Sequence, residues 1–349
     1  MSAVRTTLMA CLFLAACDGN PFVPGGVVID PGTGTSNTSV STLPGADNPT
    51  ASGGITRTEE KGKGPNIDGT APDVVGNGYA EGFIYDPAGD TFTVDNLAFD
   101  GGNTYTRSTS VPALGPAGVY EASATYEDAQ TGAQIDQFSY RALYGVSTSG
   151  RTKFAIVRTG AYVPYGFGGF VYSRTGRVVL PTSGQAHYTG DYAGLRDFNG
   201  RGGLELTTGD MAMDIDFNDF NPDESGTGNG AGIKGQVSNR RVFDLNGNDI
   251  TASVLAGINA DKNPDVALTE LPTVVFKVGP GVLDNNGEAE GQVASGITAN
   301  GAIEVFESGK YYAVISGNNA DEVAGVIVVT SEVGGVTVRE TGGFILYRP

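Results

Sequence analysis

The sequence predicts an all-β protein: a small antiparallel β handle domain followed by an antiparallel β-barrel of about eight strands, both behind a disordered tether. Three observations predict this. Apolar residues recur with period two in short runs bounded by turn residues, which is the pattern of half-buried strands. Helical periodicity is almost absent. The chain of 349 residues contains 54 glycines, 17 prolines and no tryptophan, a composition suited to short strands and many turns.

Residues 1–16 read as a secretory signal peptide, with Arg5 as its charged start and Leu8–Ala16 as an apolar stretch too short to span a bilayer. The run Leu14-Ala15-Ala16-Cys17 resembles the lipobox of bacterial lipoproteins. That resemblance implies cleavage before Cys17, diacylglycerol on its sulfur and an acylated new N-terminus, hence anchorage to a membrane without a spanning helix. An ordinary signal peptide cut elsewhere is the alternative. Cys11 would leave with the signal and Cys17 would carry lipid, so no disulfide is expected and the fold rests on packing. Asp18 follows directly and resembles the inner-membrane retention signal of enteric bacteria, which sets an inner-membrane location against the outer-membrane one.

Residues 17–72 are rich in Gly, Pro, Ser, Thr and Asn and read as a lipid-anchored flexible linker with no core of its own. Such a tether has a root-mean-square reach of roughly 40 Å. The chain holds 21 basic and 39 acidic residues, a formal net charge of −18, and loss of Arg5 makes the mature chain one unit more acidic. This balance argues against nucleic acid and against lying flat on an anionic membrane, and permits a cationic partner.

Residues 73–180 predict the handle. Tyr79, Phe83 and Tyr85 share a face, Asp86–Asp90 turns the chain, and Phe92 and Val94 resume it, which makes a hairpin. The phase then slips to Leu97 and Phe99, so a bulge is expected near Asp95 and Asn96. Tyr120 to Tyr126 and Phe138 to Val146 alternate around a polar turn at Thr131-Gly132, a second hairpin. The run Leu180–Gly184 breaks the pattern and is read as the boundary.

Residues 184–349 predict the barrel, because an unbroken series of antiparallel strands hides its edges most simply by closing. Strands are expected at Gln185–Leu195, Leu204–Phe220, Ile233–Phe243, Thr273–Val278, Glu288–Ile297, Ala302–Glu307, Tyr311–Ile315, Val323–Thr330 and Val336–Tyr347. Tyr311–Ile315 and Val323–Thr330 are read as one strand continuing around a kink. Ala252–Ile258 and Ala320–Val323 are expected to make a turn or two of helix.

Two pieces of this segment resemble the barrel domain of transferrin-binding protein B and related Gram-negative surface lipoproteins. One is Gly184-Gln-Ala186-His-Tyr188-Thr-Gly190-Asp-Tyr192-Ala-Gly194 with the strand Met213-Asp-Ile-Asp-Phe217; the other is Gly309-Lys-Tyr311-Tyr312 with Gly317-Asn-Asn-Ala320-Asp-Glu322-Val-Ala324-Gly325. Four residues separate Tyr312 from Gly317 where the family tends to a tighter turn, and Ala324 stands where glycine is common. The resemblance covers about the last half of the chain. It implies a lipid-anchored handle and barrel that bind a host protein, nutrient or solute at the outer membrane or cell surface. No contact residue carries over, because such contacts lie in divergent loops. A structural lipoprotein without a specific ligand and an envelope hydrolase remain as the alternatives.

Catalytic equipment is sparse. His187 is the only histidine, and no nucleophile elbow, HExxH or Walker A sequence occurs, so the expectation is no catalytic residue, no cofactor and no enzyme. Asp214 and Asp216 share a strand face, where solvation explains them without glycosidase chemistry. The glycine-rich Gly226–Gly232 has neither the strand nor the helix of a nucleotide loop and reads as a hairpin tip. Asp244-Leu-Asn246-Gly-Asn248-Asp249 and Asp284-Asn-Asn-Gly-Glu288 place oxygen ligands at calcium-like spacings, but lack the distal glutamate of an EF-hand, and turns made by Asx side chains account for both. The binding candidates are Tyr162, Tyr165, Phe167, Phe170 and Tyr172, interleaved with Pro164, Gly166, Gly168 and Gly169. Packing between the two β modules uses the same residue types and is the alternative for them.

Overall fold

The computed structural model describes residues 43, 45, 49–59, 80, 82–95, 97–161, 167–217, 231–278 and 282–349. The expected signal peptide, Cys17, Asp18, most of the expected tether, Tyr79, Tyr162, Tyr165 and the Gly226–Gly230 stretch lie outside the described residues. The first strands in chain order are β1 (Ile55–Thr58), β2 (Phe83–Asp86), β3 (Thr91–Val94), β4 (Thr104–Arg107), β5 (Ala113–Leu114), β6 (Ala117–Ala122), β7 (Thr125–Glu127), β8 (Gln134–Asp136), β9 (Tyr140–Val146), β10 (Thr152–Thr159) and β11 (Gly168–Arg174). Nine of them form one antiparallel sheet in the order β1-β11-β10-β9-β6-β4-β3-β2, with β5 on β6, while β7 and β8 form a separate two-stranded ribbon.

Both expected hairpins are present as β2–β3 and as β6–β9, the latter prolonged by the ribbon. The expected bulge falls partly on Asn96, outside the described residues; β3 ends at Val94, and Phe99 takes a positive φ of 55° in an irregular loop. The strand β1 falls within the stretch read as tether. Its Ile55 is buried and its four residues pair with β11, so one apolar residue and a buried Arg57 recruit a segment whose composition alone reads as linker.

Asp90, in the β2–β3 turn, ties the far end of the sheet together. It accepts hydrogen bonds from Arg107 at 2.8 and 3.0 Å, from the Tyr120 hydroxyl at 2.8 Å and from the Tyr85 hydroxyl at 3.0 Å. The Arg107 hydrogen bonds, with those of the two tyrosines, hold its carboxyl down to about 2. A folded value below the ordinary aspartate value of about 3.9 contributes stability that is present above that value and lost as pH falls toward 2. We expect Asp90→Asn to flatten the fall in stability between pH 4 and pH 2, read as the urea midpoint at each pH; an unchanged slope counts against this role.

The second unit is a closed antiparallel barrel of β12 (Gln185–Asn199), β13 (Leu204–Asp216), β14 (Gly232–Phe243), β15 (Val274–Phe276), β16 (Glu288–Ala299), β17 (Ala302–Ser316), β18 (Glu322–Val333) and β19 (Val336–Tyr347), sealed by the β12–β19 pairing. Alternation sends one residue in two inward. Tyr188, Met213, Ile215, Phe276, Tyr311 and Phe344 fill one level, with the Phe276 and Tyr311 rings stacked at 4.2 Å. The next level is ionic. Arg240 donates to Glu307 at 2.7 and 2.9 Å and to Glu340 at 3.0 Å, Tyr192 donates its hydroxyl to Glu340 at 2.9 Å, and Ser295 donates to Glu307 at 2.6 Å. A register shift at Thr208–Asp210, with Asn239 at φ 51°, turns Arg240 onto the inward face. Beyond it α1 (Thr251–Lys262) closes that end through Leu255 and Ile258, packed with Val242, Leu271, Ile297 and Phe306.

Two sequence readings are corrected here. Ala302–Glu307 and Tyr311–Ile315 are parts of the single strand β17, shifted in register near Ser295–Gly296, whereas Val323–Thr330 lies in the antiparallel neighbour β18. Ala320–Val323 makes no helix; Ala320 has a φ of 51° and is buried over the barrel end, where its carbonyl accepts the Tyr188 hydroxyl at 2.7 Å.

The sheet lies along the barrel wall and shares a core with it. Leu143, Phe154, Ile156, Phe170 and Tyr172 from the sheet pack on Ala193, Leu195, Tyr312, Val314, Ala324, Val326 and Ile345 from the barrel. Glycines permit the close approach: a Cβ on Gly343 would stand 2.2 Å from the Phe154 ring, and one on Gly145 2.4 Å from it. Buried charges cross the same boundary. Arg57 forms a two-pronged pair with Glu288 at 2.7 and 2.8 Å. Arg158 meets Glu59 at 2.8 and 3.1 Å and Thr341 at 3.0 Å, and Arg174 donates to the carbonyls of Asn286, Ile315, Thr50 and Gly53.

Candidate functional site

The described aromatic candidates divide. Phe170 and Tyr172 are buried in the core between sheet and barrel, with the Phe170 ring 6.1 Å from that of Tyr312. They pack the two units together and offer no surface to a ligand, because β11 is covered on both faces. Phe167 is half-buried and stacks on Phe138 at 6.3 Å.

Phe138 leads to the one extended apolar surface that the described part of the sheet presents at this end. Its ring lies 5.3 Å from that of Phe99, which is 58% exposed. A phenylalanine at positive φ is uncommon, and the surroundings hold it there. Phe138 donates its amide to the Phe99 carbonyl at 2.8 Å, Tyr140 donates its hydroxyl to the Ala98 carbonyl at 2.8 Å, and Gly101 donates to the Gln137 side chain at 3.1 Å. Asp100 accepts from Asn103 and from the Tyr105 hydroxyl; burial pushes its carboxyl upward. Next to this loop stands the β7–β8 ribbon, in which Tyr126 pairs with Ile135 on one face and both are exposed. The Tyr126 ring covers Gly102, where a Cβ would stand 2.8 Å from it. Phe99, Tyr126, Ile135, Phe138 and Phe167 thus form a continuous apolar tip.

Every residue of the ribbon is exposed. An isolated two-stranded ribbon is marginally stable in water, so this one stands on its continuity with β6–β9 and on the loop beneath it. The tip also has a direction. Residues 49–51 lie beside Arg174, at one end of the strands, after Gly45 has bridged Arg57 and Leu43 has packed into the core, and β1 returns from its pair Ile55–Arg174 toward Thr58–Val171. Thr159, Gly168 and Tyr140, which adjoin the tip, lie at the opposite strand ends.

The remaining candidates are placed as follows. Asp244 accepts from the backbone amides of Asn246 and Asn248 and from the Asn248 side chain; Asp284 accepts in the same way from Asn286 and Glu288. Both loops are Asx-type turns with glycine at positive φ, at Gly247 and Gly287, so their carboxylates are engaged in the turn. His187 and Asp214 meet at 2.6 Å on the exposed outer wall of the barrel, with Lys234 beside Asp214 at 3.5 Å. Farther along that wall a shallow groove of about 370 Å³ is lined by Thr189, Asp191, Asp210 and Ser238. Among the described residues no group of three His, Cys, Asp or Glu side chains is placed to hold a metal ion.

No protein-family model matches the chain, and no curated protein sequence matches it. Among solved structures it is similar to a double mutant of the vaccine antigen transferrin-binding protein B from Haemophilus parasuis Hp5, at 12% identity and a TM-score of 0.35, over 76% of this chain and 44% of that one. It is also similar to an intact transferrin-binding protein B with its N and C lobes, at 13% identity and a TM-score of 0.34, over 81% and 48%. A protein of unknown function from Nostoc punctiforme matches at 7% identity and a TM-score of 0.20, over 76% and 86%. The chain spans less than half the length of the transferrin-binding proteins it matches. These likenesses concern strand arrangement and assign no family, ligand or activity.

Proposed function

We propose that the protein is a non-catalytic, lipid-anchored envelope lipoprotein that binds a protein partner through the apolar tip of its sheet. The observation that carries this reading is the exposed Tyr126–Ile135 ribbon beside the strained, exposed Phe99. Exposed apolar surface gathered in one place marks an interaction site more often than scattered single residues do. Aromatic anchors fixed by the backbone lose little entropy on binding. Anchorage at Cys17 with a tether, as the sequence predicts, suits a module that meets its partner away from its own membrane, on the outer membrane or cell surface. Phe167 belongs to the same contact surface in this proposal.

The filled barrel interior supports a partner met on the outside rather than a solute held within. With aromatic and ionic levels occupying the lumen and α1 closing one end, the barrel acts as the rigid support of the sheet. The test is Tyr126→Ser combined with Ile135→Ser. Both positions are exposed, so we expect an unchanged melting temperature and at least tenfold weaker retention of a partner held by the unmodified protein, measured by quantitative pull-down. Equal retention by both proteins would remove the tip from the proposal.

A further inference from the structure

Resting on the reading of the tip as a docking surface, we infer that the partner it receives is a basic polypeptide segment. Segments 97–103 and 123–138, which build the tip, contain Asp100, Glu127, Asp128 and Asp136 and no Lys, Arg or His. Glu127 and Asp136 are exposed, Asp128 is half-buried, and none of the three forms an ion pair among the described residues. Among the described residues the neighbouring cations are held elsewhere: Arg107 pairs with Asp90, Arg141 with Glu121 at 2.8 Å, and the buried Arg158 with Glu59.

Charge and apolar surface here belong to one small element. Tyr126 and Ile135 occupy one face of the ribbon, while Thr125, Glu127, Gln134 and Asp136 occupy the other. The ribbon is only two strands wide, so its carboxylates lie within about 8 Å, one screening length at physiological salt, of anything seated on the Tyr126 face. An acidic segment would be repelled at that distance. A segment with Lys or Arg between apolar residues would bury its apolar side chains on Phe99, Tyr126 and Ile135 and keep its charges near Glu127 and Asp136. The exposed rings of Phe99 and Tyr126 also offer faces on which a cation is attracted.

The experiment uses the full chain and two synthetic peptides, one alternating lysine and leucine around a single tryptophan, the other with glutamate for each lysine. The protein has no tryptophan, so peptide fluorescence reports binding without background. We expect the lysine peptide to bind at least tenfold more tightly than the glutamate peptide at low salt. Glu127→Gln with Asp136→Asn should weaken it about fivefold and lessen its salt dependence. Asp191→Asn with Asp210→Asn, on the barrel wall, should leave it unchanged. Equal weakening by the wall variant would overturn the inference, since overall acidity would then explain binding. If Tyr126→Ser with Ile135→Ser abolishes binding while Glu127→Gln with Asp136→Asn does not alter it, docking stands and the basic partner falls. If neither tip variant has an effect, both readings fall. Asp128 is left intact because it accepts from Gln130 and Thr131 and so shapes the ribbon's turn.

Discussion

Replacing Arg240 with methionine is expected to cost about 3–5 kcal/mol of folding stability near neutral pH, because it strands Glu307 and Glu340 inside the barrel. Arg196 remains 3.7 Å from Glu340 but makes no hydrogen bond to Glu307. Burial pushes the Glu307 carboxyl upward, and the charge and hydrogen bonds of Arg240 overcome this and hold it below the usual glutamate range. The lowered value means that its contribution is present above the unfolded value of about 4.3 and fades as pH falls through the folded one. Without Arg240 the shift reverses: a buried, unpaired carboxyl takes up a proton as pH falls and sheds its desolvation cost. The gap between Arg240→Met and the unmodified protein should therefore narrow from pH 7 to pH 4 in equilibrium urea denaturation. A gap that widens toward low pH would show that Arg240 does not neutralise this level. Arg240→Met with Glu307→Leu should recover part of the loss, since an apolar pair of similar volume replaces an ion pair at little cost.

Phe154→Ala is expected to cost a further large amount, about 3–5 kcal/mol, and to loosen the sheet from the barrel. The Phe154 ring is fully buried between Gly145 on β9 and Gly343 on β19. The cost of a large-to-small change depends on how far the site can collapse, and glycine on both sides leaves no side chain to move in. Equilibrium denaturation followed at two probes, one in each unit, should change from a single transition to two. A retained single transition, with a loss below 1 kcal/mol, would mean that the ring does not couple them.

The barrel was legible because one of its two faces is water-exposed in β12, β13 and β17. Tyr188, Met211, Met213 and Tyr311 alternate with residues such as Asp191, Asp210, Asp214 and Lys310, and period two marks the strands and their bounds to within a few residues. The same logic fails for β10. Thr152–Thr159 is buried at seven of its eight positions, and it includes Arg158, whose charge is paired inside the protein, so its polar letters break the pattern without marking a surface. β4 and β5 are too short to establish a period. The inward turn of Arg240 depends on the bulge at Asn239, which a uniform alternation through β14 conceals.

The site was half legible. The aromatic run around Phe167 ends where the proposed tip lies, while Phe170 and Tyr172 turn inward, because every position of β11 but Val171 is buried between neighbouring strands and the barrel. Phe99 and the ribbon were hidden for a different reason. Phe99 was read as a strand residue, and its exposure follows from a left-handed backbone in the loop Asp100-Gly101-Gly102-Asn103, whose turn-forming residues were the available signal. Tyr126 and Ile135 alternate like core residues, and among the described residues no third strand lies beside β7 and β8 to cover them.

The hold on Leu43, Gly45 and β1 at the sheet edge bears on mechanical load. In the proposed arrangement a partner pulls at the tip and lipid pulls back through the tether, so tension reaches the sheet through this edge. Leu43, buried between sheet and barrel, and Gly45, bridged to Arg57, feel it before β1 does. Behind them β1 is held by its four pairs with β11, from Ile55–Arg174 to Thr58–Val171, and the Arg57–Glu288 pair pins the middle of the strand to the barrel. A four-residue strand that adds little to the area of the sheet thus becomes the clamp through which the molecule withstands being pulled.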